Sequence, residues 1–119
     1  MSHREPERSD KTDLEVAHRL KDVVLQADGT RVCRIILFGS RARGDAKRDS
    51  DFDLLVVLRG ATAAEARSFR MSLYRAFRGI GVAVEPWVMI EEEFEETKTV
   101  IGGLAYPAWK EGVPLYEKR

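Results

Sequence analysis

The chain has 119 residues, the length of one ordinary domain, and is expected to bury roughly two-thirds of its unfolded surface around a single core. Its 20 basic and 20 acidic side chains cancel, which excludes a global pull toward nucleic acid or an anionic membrane; any electrostatic steering must be local, and no direct nucleic-acid binding is expected. The one cysteine excludes an internal disulfide framework, and with no apolar run long enough to span a bilayer and no visible signal peptide, a cytoplasmic protein is expected.

Residues 1–11 are polar and charged and read as a disordered lead-in, leaving residues 12–119 as one domain. Thr12-Asp13-Leu14-Glu15 matches a capping box, with Thr12 as the N-cap, and Val16, Leu20, Val23, Val24 and Ala27 follow at helical spacing up to Asp28-Gly29. Val32 to Phe38 is a β-branched, apolar strand, and its Cys33 reads as a buried thiol behaving as a small hydrophobe. Gly39 to Asp49 is small, polar and basic, a loop with room for a short helical turn. Phe52 to Leu58 is a strand apolar on both faces, hence buried within the sheet.

Thr62-Ala63-Ala64-Glu65 is a second capping-box match, followed by the stripe Ala66, Phe69, Leu73, Tyr74 and Phe77, with Gly79 as C-cap. Val82 to Ile90 is a third strand, and Pro86 within it predicts an edge position or a bulge. The five glutamates between Glu91 and Glu96 suit a solvated helix N-terminus. Thr99 to Lys110 predicts a helix broken by Gly102, Gly103 and Pro107, and Val113 to Tyr116 a short last strand. His3 and His18 are expected at the surface. The second and third strands, with a helix between them, can lie parallel; the first two can pair in either sense. The expected class is α+β or a two-layer α/β, a small mixed sheet with helices packed on it.

The chemistry concentrates between Phe38 and Leu54. Asp51 and Asp53 stand two apart at the start of an apolar strand, so both carboxylates share one face while Phe52 and Leu54 turn into the core. Adjacent carboxylates repel unless a cation lies between them, and their oxygens suit a hard ion such as Mg²⁺ that bridges to substrate phosphates. Gly39 follows a strand directly and lets a phosphate approach the backbone; a helical turn at Ser40 would add N–H groups and a hydroxyl. Arg41, Arg43, Lys47 and Arg48 make this loop locally positive. A P-loop is excluded, because Asp45-Ala46 stands where Lys-Ser/Thr would follow the second glycine. Two carboxylates alternating into a buried strand with no partner would cost several kcal/mol, so a plain polar turn does not explain them.

The segment Gly39-Ser40-Arg41-Ala42-Arg43-Gly44 through Ser50-Asp51-Phe52-Asp53-Leu54 resembles the signature of the DNA polymerase β-type nucleotidyltransferase superfamily, and in particular its minimal prokaryotic members. The resemblance covers nearly the whole chain after the lead-in, including the ending Glu111-Gly112-Val113-Pro114-Leu115-Tyr116-Glu117. It implies transfer of a nucleoside monophosphate, often AMP from ATP, to a hydroxyl. Gly39 and Ser40, with Arg43 and Ser50, would hold the nucleotide phosphates, and Asp51 and Asp53 would bind two Mg²⁺. One ion would lower the pKa of the acceptor hydroxyl and the other neutralise the leaving pyrophosphate. Glu85 takes the place of a third carboxylate on the following strand, where the family more often has Asp; the longer arm can still reach a metal or act as the base.

Three functions follow as expectations. The first is an antitoxin-like enzyme acting on a helical, toxin-like protein partner, with Leu104, Tyr106, Trp109 and Tyr116 available for an interface or for the core. The second is a small-molecule nucleotidyltransferase, whose extra helical domains do not fit in this length. The third is a non-catalytic module that binds nucleotide or a partner.

Overall fold

Two runs of mostly aliphatic residues form the centre of the fold. The structure, a computed structural model, describes residues 11–119. Its elements are α1 (Lys11–Ala27), β1 (Val32–Phe38), α2 (Ser40–Arg43), β2 (Phe52–Leu58), α3 (Ala63–Ala76), β3 (Val84–Ile90), α4 (Glu91–Thr97), α5 (Ala105–Glu111) and β4 (Val113–Glu117). The strands make one sheet in the order β3-β2-β1-β4. The β1–β2 and β1–β4 pairs are antiparallel and β2–β3 is parallel, so the sheet is mixed as the sequence predicts. Among the described residues no helix is long and apolar enough to cross a membrane.

Strand alternation assigns the core. Ile35, Leu37, Leu54, Val56 and Leu58 face α1 and α3, and pack against Ala17, Leu20, Val24, Ala66, Phe69 and Leu73. The intervening Cys33, Ile36, Phe38, Leu55, Val57 and Met89 face Phe94 of α4 and Ala105 and Ala108 of α5. β2 is thus sealed on both faces, which explains its unbroken apolar run. The two short helices cover a sheet face in addition to the layer that α1 and α3 form. Cys33 is buried, and its burial, then the Glu91 carboxylate, push the thiol up from its ordinary value.

The local signals resolve in different ways. The Thr62 capping box is complete: Thr62 Oγ1 accepts from the Glu65 N–H at 3.1 Å, and Glu65 Oε1 accepts from the Thr62 N–H at 2.8 Å. Thr12 is no cap, because Lys11 before it is already helical. Residues 1–10, with His3 and nearly all of the predicted lead-in, lie outside the described residues; His18 is exposed. Gly79 does not cap α3: Phe77 does, and Gly79 takes a positive φ two residues later in the turn. The predicted last helix shortens to Ala105–Glu111, because Gly102 adopts φ 94°. Pro107 is tolerated in its first turn, where N–H groups have no helical partner.

The acidic run starts α4 with no side-chain cap, and Glu91 leaves it to grip Arg59 through two bonds of 2.9 and 3.0 Å. Of the four apolar residues offered for an interface, Leu104 and Trp109 are exposed, whereas Tyr116 packs on the core and Tyr106 is partly buried. Substituting Thr62 by Ala is expected to cost about 1 kcal/mol through loss of the cap, read as a lowered midpoint in urea unfolding.

Candidate active site

Asp53 stands in the middle of the sheet, paired across β1 with Phe38 and across β3 with Glu85. Its neighbours Phe52 and Leu54 are buried toward α1 and α3, so the Asp53 carboxylate comes out on the opposite face, half-buried. Asp51 lies one residue before the strand and is exposed. Burial, then the charge of Asp51, then that of Glu85 raise the Asp53 carboxyl above its ordinary value; a hydrogen bond from Trp87 and the charge of Arg43 act the other way. Asp51, Asp53, Glu85 and Arg43 therefore share one electrostatic neighbourhood.

The turn after β1 is built around that carboxylate. Gly39 has φ 78° and ψ −158°, a conformation open essentially only to glycine. A Cβ there would run into Asp53 Oδ2 and stand 3.3 Å from Cγ. The glycine is thus required by the aspartate as well as suited to an approaching phosphate. Its carbonyl then accepts from the N–H groups of Ala42 and Arg43, starting α2, which Gly44 closes in the left-handed region. Ser40, at the head of α2, is partly exposed.

The loop's positive charges separate by geometry. Arg41 turns inward: Nη1 reaches Asp13 Oδ1 of α1 at 3.1 Å, Nη2 donates to the Arg48 and Ser50 carbonyls at 3.1 and 3.0 Å, and the guanidinium lies 4.6 Å from the centre of the Phe52 ring. It is a tie between α1, the loop and β2. Arg43 turns outward, about half exposed, with Asp45 at 3.3 Å. Lys47 and Arg48 are exposed, and Ser50 Oγ accepts from the Lys47 N–H at 2.8 Å, which shapes the approach to Asp51.

Glu85 lies beside Asp53 on β3, but its Oε2 is taken by α3. It accepts from Arg70 Nη2 at 2.9 Å and from the Tyr74 hydroxyl. Among the described residues no three acid, histidine or cysteine side chains stand together so as to hold a metal ion. Asp51 and Asp53 fit a hard cation by donor chemistry, and by the burial and mutual repulsion that together raise Asp53. The described grooves of about 420 and 460 Å³ lie on α3 and α1 and include none of the predicted site residues. Sequence reasoning missed Arg70 and Trp87 and placed Tyr74 in an apolar stripe; helical spacing gives no sign that Arg70 and Tyr74 reach Glu85.

Residues 18–105 match the family model of the nucleotidyltransferase domain. The chain belongs to this nucleotidyltransferase family. Among solved structures it is similar to a Sulfolobus solfataricus protein described as a nucleotidyltransferase, at 26% identity and a TM-score of 0.61, over 89% of this chain and 81% of the other. A mutant of the toxin-antitoxin MntA-HpeT is similar in fold at 18% identity and a TM-score of 0.61, over 86% of this chain and 74% of that one. A toxin-antitoxin structure with AMP-PNP is similar at 19% identity and a TM-score of 0.56, with the same coverages. No curated protein sequence matches the chain.

Two predictions follow from the site's electrostatics. Arg41→Ala is expected to destabilise the fold by about 2–3 kcal/mol in denaturant unfolding, because a mostly buried Asp13 and two carbonyls lose charged donors. Arg41→Lys should recover part of this, since one ammonium cannot span all three acceptors. Asp53 behaves oppositely. Its folded pKa is raised, so its favourable contribution is complete below the unfolded value and is lost as pH rises through the folded one. Asp53→Asn should therefore raise the metal-free Tm by a few degrees at pH 7, and the gain should vanish below about pH 4 in scanning calorimetry.

Proposed function

We propose that this nucleotidyltransferase transfers AMP from ATP to a hydroxyl on a partner protein, in the manner of an antitoxin acting on a helical toxin. The observation that carries the reading is the placement of Asp53: a carboxylate with raised proton affinity, wedged against Gly39 and flanked by Asp51 and Glu85. Such a cluster is held in a fold for a cation that compensates it. Asp51 and Asp53 would hold Mg²⁺, two ions in the full site with Glu85 as the third carboxylate, and that charge would neutralise the phosphates and the leaving pyrophosphate.

The chain's own groups supply the rest. The Gly39 backbone and the Ser40 hydroxyl meet the terminal phosphates, and the outward guanidinium of Arg43 clamps them. Ser50 fixes the loop in front of Asp51, and Lys47 and Arg48 raise the local potential. Attack of the acceptor oxygen on the α-phosphorus forms one P–O bond as the bond to pyrophosphate breaks, a reaction catalysed mainly by position and charge. The solved toxin-antitoxin relatives, one of them with AMP-PNP, support a protein partner and an adenine nucleotide for this chain. Exposed Trp109 and Leu104 offer contacts of the kind interfaces use.

One observation favours a second reading, a non-catalytic module that binds nucleotide: the third carboxylate is engaged by Arg70 and Tyr74. The experiment that separates them incubates the purified chain with Mg²⁺, labelled ATP and a lysate of its own source. Label on one discrete protein, lost with Asp51→Asn or Asp53→Asn although the circular dichroism is unchanged, is the expected outcome. Label confined to small molecules assigns the acceptor to the antibiotic-modifying type. ATP binding without pyrophosphate release leaves the non-catalytic reading.

A further inference from the structure

β3 is the edge strand nearest the acids, and an edge leaves outward carbonyls without a strand partner. Arg70 supplies one. It rises from α3, on the face of the sheet opposite Asp53, and its Nε donates to the Pro86 carbonyl at 2.7 Å. Its guanidinium lies 4.1 Å from the centre of the Trp87 ring, and its Nη2 donates to Glu85 Oε2 at 2.9 Å. Tyr74, one helical turn on, donates its hydroxyl to the same oxygen and accepts from Arg70 Nη2 at 3.2 Å. One carboxylate oxygen thus takes two donors from α3, while Trp87, beside Glu85 on the strand, bonds to Asp53. The contacts bind Glu85 to the sheet edge on one side and leave it next to Asp53 on the other.

Building on the proposed metal site, we propose that Arg70 and Tyr74 are positioning residues for the third carboxylate: they hold Glu85 at the edge of the sheet in competition with a divalent cation at Asp51 and Asp53. The site is completed when the cation draws Glu85 from its two donors. Glutamate suits this exchange, since its additional methylene lets one carboxylate serve two positions from a fixed backbone. Arg70 does not leave the site when it loses Glu85, because Pro86 and Trp87 still hold it.

The test is a titration of the full chain with Mn²⁺, counting free ion by electron paramagnetic resonance at constant pH. Tyr74→Phe removes one donor without changing charge and should tighten Mn²⁺ binding several-fold. Arg70→Gln should tighten it by about tenfold, the size expected for charge-assisted hydrogen bonds. Both gains should disappear in a Glu85→Gln background, which a general loss of positive charge would not explain. In a Trp109→Phe background, Mg²⁺ should also shift the Trp87 emission in the wild-type pairing and much less in Arg70→Gln. Unchanged or weaker Mn²⁺ binding by both variants, or gains that persist with Glu85→Gln, would overturn the proposal while leaving the metal site standing. Mn²⁺ binding that is absent from the wild type, or indifferent to Asp51→Asn with Asp53→Asn, overturns the metal site itself and this proposal with it.

Discussion

The contact between the Asp53 carboxylate and the Gly39 backbone is the constraint on which the site depends. β2 is buried on both faces, so its register against β1 and β3 is fixed by the core. A one-residue slip would turn Leu54, Val56 and Leu58 out of one core and Asp53 into it. With Asp53 pinned in this way, the chain leaving β1 has to pass its carboxylate closely, and only a residue without a Cβ, at positive φ, can do so. The tight turn then delivers α2 and the basic loop to the same end of the sheet. The core thus holds a carboxylate where its charge is disfavoured, and the Trp87 hydrogen bond and the Arg43 charge only partly offset that cost.

A neutral chain can still present a positive loop, but composition does not say which of its charges act outward. Arg41 and Arg43 are two residues apart on one helical turn and point to different work. Arg41 is mostly buried between Asp13, two carbonyls and the Phe52 ring, and its charge is spent inside the fold. Arg43 remains about half exposed and close enough to Asp53 to lower its proton affinity. The distinction rests on α1: Asp13 reaches Arg41 across 28 positions of sequence, a pairing that no local pattern encodes.

Much of the fold was legible because its signals are local. Apolar runs marked β1 and β2, a complete capping box marked the start of α3, and Pro86 marked β3 as an edge. Boundaries were less so: Thr12 reads as a cap until Lys11 is seen in the helix, and Gly79 reads as a C-cap although Phe77 ends α3. Asp51, Asp53 and Glu85 stood out as acids against apolar strands. The partners of Glu85 did not, because Tyr74 falls at core spacing on α3 and Arg70 looks like a solvated charge. Their role depends on α3 packing beside an edge strand, so that long side chains can bend round it, and that is a property of strand order rather than of spacing.

The three carboxylates differ in the freedom the sheet allows them. Asp53 has a strand on each side and a glycine against its oxygen, so its position is set before any ligand arrives. Asp51 precedes the strand and is exposed, free to adjust to a cation at little cost. Glu85 is on the edge strand, with a longer arm and two donors from α3. Preorganisation favours fixing the group that places the ion and leaving the others to close on it, because fixing all three without a cation would add their full mutual repulsion to the folded state. Pairing Glu85 with Arg70 offsets part of that repulsion, although the charge of Glu85 still contributes to the raised proton affinity of Asp53. On the proposed reading, the same pairing would set a threshold that a cation has to exceed to draw Glu85 in, so contacts that hold the edge of the fold would also tune the site.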